Sequence, residues 1–494
     1  MKTTSSMWRT ISLKNNGEST SKPFLEAPML TASYMTEPLL EFADGRHHVD
    51  PKTGIIRFGP KSLRPGNRHP SRIRTGFIGT PDTIQKAGIW IDKTSKGVRG
   101  APERLEFPGF RKDRGFFSEV ELSEDWNAPI FASELADLKS HRKRIERFEA
   151  AVAMIDAKLA LLCRKDRPPE YVILALPDEL LAECQTVEHT HAETGLVRRN
   201  FRRAIKGVAM RYRLPTQILL EKTTSDEEPG DYPSDIAWDF FTAMYFKAGG
   251  FPWGPVGLTP GSCFVGVGFF RPLGAEDSRV QSSLVQAFDE HGDGLVLRGQ
   301  DFQWDAAKEG SRSPHLSEEQ AAWTVDRTLD RYREEMGQVP TRMVIHKTSR
   351  YWPAETKGFR AALERRKLQY DLVALAPSDT VRLFPVNQYP PLRGTHFKVG
   401  DLDYLYTTGF QADLQQFHAN HVPSALQLAD HIGGDTSRAQ LLEEVLILSK
   451  MNWNCSLMGG LLPITLTFAR RVGDILREIS PGQTEPLANF KYYI

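Results

Sequence analysis

Short apolar runs alternate with amphipathic stretches through most of the chain. The run Tyr171 to Leu176 is apolar on both faces and breaks at Pro177, which is typical of a buried parallel strand followed by a helix. The segment from Ala132 to Cys163 repeats apolar residues at helical spacing and predicts one long amphipathic helix. Buried strands that alternate with helices indicate a sheet covered on both faces, and therefore an α/β fold.

The stretch KAGGFPWGPVGLTPG divides this pattern into two α/β units. The second unit opens with GSCFVGVGFFRP, a predicted central strand that contains Gly266 and Gly268. Glycine weakens a strand, so its presence indicates a close approach by a neighbour or a bend. We interpret Gly266 as a point of close packing. A later helix is predicted to be capped by Asp435, Thr436 or Ser437.

The chain before the first unit has a different pattern. Residues 1 to about 30 are polar, and the next segment, EPLLEFADGRHHVDPKTGIIRFGPKSLRPG, alternates short apolar pieces with turn residues. This pattern predicts one or two hairpins before any helix. The predicted organisation is a β-rich N-terminal segment over 1–70, a first α/β domain over 71–255 and a second over 256–494.

Composition narrows the class of protein. The 494 residues carry a net charge of only +1, so any site for a polyanion must be a local basic cluster. The four cysteines are widely spaced, which argues against a zinc ribbon or a disulfide framework and favours a cytoplasmic location. No apolar run approaches the ~18 residues of a membrane span, so we expect no membrane partner.

Basic residues around Thr216 and Gln217 form the best candidate site. Arg202 and Lys206 lie four apart on one face of a predicted helix, and Lys247 ends another helix before two glycines. A lysine at that position also complements the helix dipole, which by itself explains Lys247. Cations that converge with a side-chain amide would instead suit a terminal phosphate, because phosphate offers several charged acceptor oxygens.

Other polar groups carry less information. The histidine pairs His47 with His48 and His189 with His191 have no second ligand pair at zinc-like spacing, so we interpret them as exposed loop residues. The basic run KSHRKRIER is interpreted as a solvated helix face. The sequence has no Walker loop and no Gly-x-Gly-x-x-Gly opening a helix, so a nucleotide-cofactor enzyme lacks its signature.

Four segments together resemble a known family: RNFRRAIKGVAMRYRLPTQIL, MYFKAGGFPW, MNWNCSLMGGLLPITLTFARRVGDIL and LANFKYYI. In order and spacing they are similar to prokaryotic Argonautes of the short class, which contain only MID and PIWI domains. The resemblance runs from about Glu37 to Ile494. It implies a Rossmann-like MID domain over 71–255 and an RNase H-like PIWI domain over 256–494, after the short β-rich segment.

The resemblance also implies a guide-binding site. The MID domain would hold the 5′-phosphate of a guide strand through Lys206, Gln217 and Lys247, with Thr216 near it. Family members often place Tyr or His where Arg202 stands and stack it on the first base, a role that arginine can also fill. In this family the C-terminal carboxylate, here that of Ile494, can share a Mg²⁺ ion with the phosphate.

The PIWI resemblance predicts a domain that does not cleave nucleic acid. Where cleaving relatives hold metal-binding acids, this sequence has Gly268, Thr348 and Arg470. We therefore expect no cleavage, because none of these three residues supplies the carboxylate that a metal pair requires. The remaining aspartates leave open a nuclease with non-standard ligands; those considered are Asp289, Asp293, Asp301, Asp305, Asp430 and Asp435. The resemblance places three further residues at the guide–target channel: His346, Lys347 and Arg350.

The expected function is a guide-dependent sensor in prokaryotic defence against plasmids or phage. It would bind a short guide RNA, pair it with complementary single-stranded DNA, and leave the target uncut. Short Argonautes resemble one half of a two-protein system, so the expected partner is a separate chain with an APAZ region fused to a TIR, sirtuin-like or nuclease effector, activated within higher oligomers. An α/β enzyme that binds a phosphorylated metabolite is the alternative from another class.

Overall fold

A computed structural model gives the fold between residues 30 and 494. The described residues exclude 31, 65, 192–194, 226–231, 274–279, 290–291, 293, 312, 386–389, 416, 418–421, 435, 457, 480–486 and 488. Asp293 and Asp435, both considered above, therefore lie outside the described residues.

The N-terminal segment contains strands and one helix. Residues 51–58 were predicted as part of a hairpin, and this is wrong: they form a helix because Asp50 caps it, accepting a hydrogen bond from the Thr53 N–H at 2.8 Å, while Pro51 occupies the first helical turn. The elements are β1 (Ala32–Tyr34), β2 (Leu40–Glu41), β3 (His47–His48) and α1 (Pro51–Phe58).

The first α/β unit has a four-stranded parallel sheet in the order β11-β8-β4-β7. The long helix predicted over 132–163 is interrupted at His141, where extended backbone separates two helices. The elements are β4 (Arg72–Gly79), α2 (Pro81–Ser95), β5 (Phe110–Arg111), β6 (Arg114–Gly115), β7 (Glu119–Pro129), α3 (Ala132–Ser140), α4 (Arg144–Cys163), β8 (Tyr171–Ala175), α5 (Asp178–Cys184), β9 (Thr186–His191), β10 (Gly195–Asn200), α6 (Phe201–Met210), β11 (Thr216–Ile218), α7 (Glu221–Thr224) and α8 (Pro233–Lys247).

The second unit is built on a nine-stranded mixed sheet. Its elements are β12 (Gly254–Pro255), β13 (Ser262–Phe270), β14 (Val280–Phe288), β15 (Gly294–Gln303), α9 (Ala306–Glu309), α10 (Glu318–Met336), β16 (Arg342–Lys347), α11 (Pro353–Arg365), β17 (Gln369–Pro377), β18 (Thr395–Val399), β19 (Leu402–Leu405), β20 (Leu426–Gly433), α12 (Arg438–Leu448) and α13 (Ile464–Leu476). The order is β1-β18-β19-β20-β17-β16-β13-β14-β15, with β13, β16 and β17 parallel. Ser437 is the cap of α12, one of the three predicted residues.

Packing explains only one of the two glycines of β13. Helix α13 packs directly on this strand. A Cβ at Gly266 would lie 2.3 Å from the Thr465 main-chain oxygen, so only glycine fits there, as the sequence predicted. A Cβ at Gly268 would lie 3.4 Å from the Ala469 Cβ, which is ordinary contact. Packing therefore requires the first glycine and leaves room for a side chain at the second.

The N-terminal segment is fastened to the second unit. Strand β1 pairs antiparallel with β18 and so forms one edge of the large sheet. Beside it, the Glu37 carboxylate lies 2.9 Å from both Arg393 Nε and Lys450 Nζ, and all three side chains are buried. The segment is thus part of the second unit's structure. Among the described residues, no helix is both long and apolar enough to cross a bilayer.

A candidate anion-binding site between the two units

Helix α6 carries the first two cations of the site. Asn200 caps it by accepting a hydrogen bond from the Arg203 N–H at 3.1 Å, which fixes where the helix begins. Arg202 and Lys206 then lie one turn apart on the same face. Lys206 is only 7% exposed, and its ammonium group donates a hydrogen bond to the main-chain oxygen of Ile494, itself buried.

Lys247 approaches the same place from the end of α8. It is 1% exposed, and its Nζ lies 3.3 Å from the Thr216 main-chain oxygen and 3.2 Å from Gln217 Oε1. Gln217 is held in turn by the Tyr171 hydroxyl, which donates to the same Oε1 at 2.6 Å. The structure therefore brings together residues from α6, α8, β8, β11 and the chain's last residue.

The electrostatics of these cations are unusual. Burial lowers the pKa of Lys206 well below its ordinary value, and the nearby charges of Arg202 and Arg471 lower it further. Burial also depresses the pKa of Lys247 strongly, with added repulsion from Lys206 and both arginines. Arg202 keeps an exposed surface, yet loss of water around its guanidinium and the charge of Arg471 lower its pKa as well. No carboxylate is among the causes of these shifts.

Arg471 is the member of the cluster that the sequence analysis missed. It lies on α13 of the second unit, next to Arg470, and burial lowers its pKa. Helices α6 and α13 are joined by an ion pair of 2.6 Å between Arg203 and Asp474. The doublet Arg470–Arg471 in a mostly apolar helix is the signal that could have identified it.

This arrangement favours an anion. Several cations lie together in a largely buried place, and no carboxylate side chain of the described residues is among the groups that shift the lysine pKa values. A phosphate would supply negative charge and several acceptor oxygens. The Ile494 oxygen, which the resemblance assigns to a Mg²⁺ ion, accepts a hydrogen bond from Lys206, and Arg202 and Arg471 lie near that lysine.

Solved structures share the fold. Clostridium butyricum Argonaute bound to a guide DNA with a 5′ deoxycytidine and a 19-mer target DNA matches with a TM-score of 0.66 and 15% identity, over 94% of this chain and 55% of that chain. The fold is that of Argonaute MID and PIWI domains. A. aeolicus Argonaute matches with a TM-score of 0.60 and 14% identity, over 95% of this chain and 56% of that one. Drosophila Piwi gives 0.57 and 12%, over 93% and 56%.

This chain thus spans a little over half the length of those Argonaute structures. No protein-family profile matches the sequence, and no curated protein matches it significantly. The MID-like sheet carries β8 and β11 of the anion site, and the PIWI-like sheet carries α13 and Arg471 against it. The candidate site therefore lies where the two domains of the fold meet.

The assignment of His346 and Lys347 to a guide–target channel is wrong, because both side chains are buried. His346 is 1% exposed, its Nδ1 lies 2.9 Å from Thr465 Oγ1, and burial lowers its pKa to about 3. Lys347 is also 1% exposed, and its Nζ lies 2.6 Å from both carboxylate oxygens of Glu355. Both side chains point into the protein because β16 is a central strand. Arg350, beyond the strand, is exposed.

The three positions assigned to lost metal ligands lie at one end of the PIWI-like sheet. Gly266 pairs with His346, which puts Gly268 and Thr348 at the same level beyond that pair. Arg470 follows Ala469, the residue that packs at Gly268. Thr348 and Arg470 are exposed.

The aspartates of the alternative nuclease site are dispersed. Asp301 accepts from Arg298 at 3.1 Å, Asp305 caps α9, and Asp430 accepts from the Tyr351 N–H at 3.4 Å, while Asp289 is buried. Within the described part of the chain, no three His, Cys, Asp or Glu side chains lie close enough to hold a metal ion. Of the histidines, His48 accepts from the Asp50 N–H at 2.9 Å, and the side chains of His189 and His191 lie outside the description.

Proposed function

We propose that this chain binds the 5′-phosphate of a short guide strand between its MID-like and PIWI-like domains. The observation that carries the proposal is the convergence of Arg202, Lys206, Lys247 and Arg471, with no carboxylate side chain of the described residues among the groups that shift the pKa values of the two lysines. Support comes from the fold, because a solved Argonaute of that fold holds a guide DNA and a target DNA.

Binding would follow from the charges of the site. Phosphate binding would raise the pKa values of the two buried lysines, since the anion opposes the repulsion that lowers them. Each then donates a charge-assisted hydrogen bond, worth about 1.5–3 kcal/mol. Arg202, a residue with exposed surface, can stack its guanidinium plane on the first base while it faces the phosphate. Binding in this form is metal-independent, with Lys206 in place of a cation at Ile494.

The guide, RNA in this proposal, then pairs with complementary single-stranded DNA. Sequence specificity lies in base pairing, while the protein contacts backbone and charge, as in other guide-dependent systems. The target stays uncut because Gly268, Thr348 and Arg470 supply no metal-binding acid. The output is the activation, in the cytoplasm, of a separate APAZ-containing effector chain that depletes NAD or degrades nucleic acid, within a defence system. The sequence resemblance to short Argonautes supports this last step.

The decisive experiment measures loading and cleavage on one preparation. The purified protein is titrated with a labelled 5′-phosphorylated RNA and with the same RNA bearing a 5′-hydroxyl. We expect tighter binding of the phosphorylated strand, and no cleavage of complementary DNA with Mg²⁺ or Mn²⁺. Equal affinity for the two strands would refute the phosphate site. Cleavage would refute the sensor and favour the nuclease, and binding of free phosphorylated metabolites alone would favour the metabolite enzyme.

A further inference from the structure

A second cleft lies away from the anion site, where the N-terminal segment meets both domains. Its volume is about 270 Å³, and its lining includes Asp50, Lys52, Glu103, Arg104, Gln411 and Asp413. Ligand pockets for small molecules usually enclose about 300–1,000 Å³. The cleft therefore has room for a single large side chain rather than a nucleotide.

The charges of the cleft leave it acidic. Lys52 and Arg104 share the carboxylate of Asp235, with Arg104 Nη1 at 3.3 Å from it, so both cations have an anion. Two further carboxylates of the lining, Glu103 and Asp413, are exposed to solvent. A phosphate backbone would be repelled here, whereas a cation would be attracted.

Gln411 provides an independent indication of the ligand. The residue is only 6% exposed, and its side-chain nitrogen donates to the Met458 main-chain oxygen at 3.4 Å. Its Oε1 is buried and accepts no hydrogen bond from the described residues. A buried acceptor without a donor costs about 1–3 kcal/mol. Gln411 thus lines the cleft with an acceptor that has no donor among the described residues, and two carboxylates line the same cleft. This set of groups matches a ligand rich in N–H donors.

We propose that this cleft binds an arginine side chain of a partner protein. The guanidinium has five N–H donors in a planar fork, which suits carboxylates and an amide oxygen at once. An apolar surface adjoins the cleft for the residues that flank the arginine: Leu105 is 40% exposed and Tyr232 is 50% exposed, with the Arg104 guanidinium 5.0 Å from the Tyr232 ring centre. This proposal does not depend on guide binding.

The test uses a labelled peptide with one arginine between two leucines, and the same peptide with citrulline, which is neutral and nearly the same shape. Fluorescence anisotropy on the full chain should show the arginine peptide at least tenfold tighter. The double variant Glu103→Gln with Asp413→Asn should lose that preference. The matched control, Glu309→Gln with Glu319→Gln, removes two exposed carboxylates elsewhere and should keep it.

Three outcomes would overturn the proposal. The two peptides could bind equally, the control variant could lose as much as the cleft variant, or a 5′-phosphorylated RNA could displace the peptide. Gln411→Leu gives a second check, because it removes the buried acceptor without changing the charge. It should weaken the arginine peptide severalfold, and the citrulline peptide by a similar or smaller factor, because citrulline keeps N–H donors of its own. An unchanged arginine affinity in Gln411→Leu would also count against the proposal.

Discussion

The chain buries lysines in two contrasting ways. Lys347 lies inside the PIWI-like domain with both oxygens of Glu355 at 2.6 Å and His315 Nδ1 at 3.1 Å. Burial lowers its pKa, and the charge of Glu355 opposes that effect. Lys206 and Lys247 are also buried, but the charged side chains that shift their pKa values are cations, so burial and repulsion lower both pKa values together.

The contrast separates structure from function. A carboxylate partner within the protein compensates the cost of a buried positive charge. A buried positive charge among other cations is compensated only when an anion binds. Lys450 follows the first pattern: it is held by Glu37, and burial lowers its pKa to about 8. A lysine with a lowered pKa therefore indicates a binding site only when the charged side chains around it do not compensate it.

The largest expected effect is on guide loading. Replacing Lys206 and Lys247 together with Met keeps the side-chain volume and removes both charges. Each charge-assisted bond is worth about 1.5–3 kcal/mol, so affinity for 5′-phosphorylated RNA should fall by roughly 100-fold or more. Affinity for the 5′-hydroxyl strand should change little. Filter binding with both strands measures the difference.

The matched control replaces Lys308 and Lys357, which are 73% and 71% exposed at the side chain, with Ala. It removes the same charge from the surface and should retain the preference for the phosphorylated strand. Loss of that preference in the control, or its survival in the Met double variant, would contradict the assignment of the two buried lysines.

The next effect concerns stability at the paired lysine. Glu355→Gln leaves the buried Lys347 without its carboxylate and should lower the free energy of unfolding by about 3–5 kcal/mol. Urea denaturation followed by circular dichroism measures it. The folded fraction should still prefer the phosphorylated strand. A loss below 1 kcal/mol would show that the pair is not what compensates Lys347.

The pH dependence should also differ between the sites. The folded-state pKa of both Lys206 and Lys247 lies below the unfolded value of about 10.4, so between those values the unfolded chain binds more protons. The free protein should therefore gain stability as pH rises through that window, by up to about 1.4 kcal/mol per unit and lysine. The Met double variant should lack this slope.

Urea midpoints measured at several pH values give the slope for both proteins. Phosphate reverses the effect, because binding takes up protons, so affinity for the guide should fall as pH rises through the same window. Parallel stability curves for the wild type and the Met double variant would contradict the depressed pKa values.

The smallest effect should come from metal removal. With Lys206 at the Ile494 oxygen, EDTA should change the affinity for a 5′-phosphorylated guide less than about twofold, within the small contribution of ionic strength. The measurement is a titration with EDTA and one with Mg²⁺ at constant ionic strength. A tenfold loss of affinity with EDTA would instead support a bound magnesium ion, as the family resemblance implies.

Apolar spacing predicted the two helices that carry the lysines of the candidate site. Lys206 lies within α6, Gln217 within β11 and Lys247 at the end of α8, and the structure brings the three together. Arg471 was missed because it comes from α13, more than two hundred residues along the chain, and only tertiary packing brings it close. Local patterns contain no such information.

The errors have identifiable physical causes. Lys347 was assigned to a channel by the family resemblance, but Glu355 in the following helix α11 pairs with it in the interior. The hairpin predicted near residue 51 overlooked Asp50 and Pro51, a cap and a first-turn proline that together start a helix. In both cases a signal was present in the sequence and a competing pattern was given more weight.

Strand β1 and Glu37 have a consequence for biosynthesis. Their partners β18 and Arg393 are made much later, since Glu37 and Arg393 are 356 residues apart. At about 5–20 residues per second, a ribosome needs roughly 20–70 s to cover that distance. Throughout that interval β1 has no strand to pair with and Glu37 has no arginine partner. A chaperone that binds this segment during translation should therefore raise the yield of folded protein.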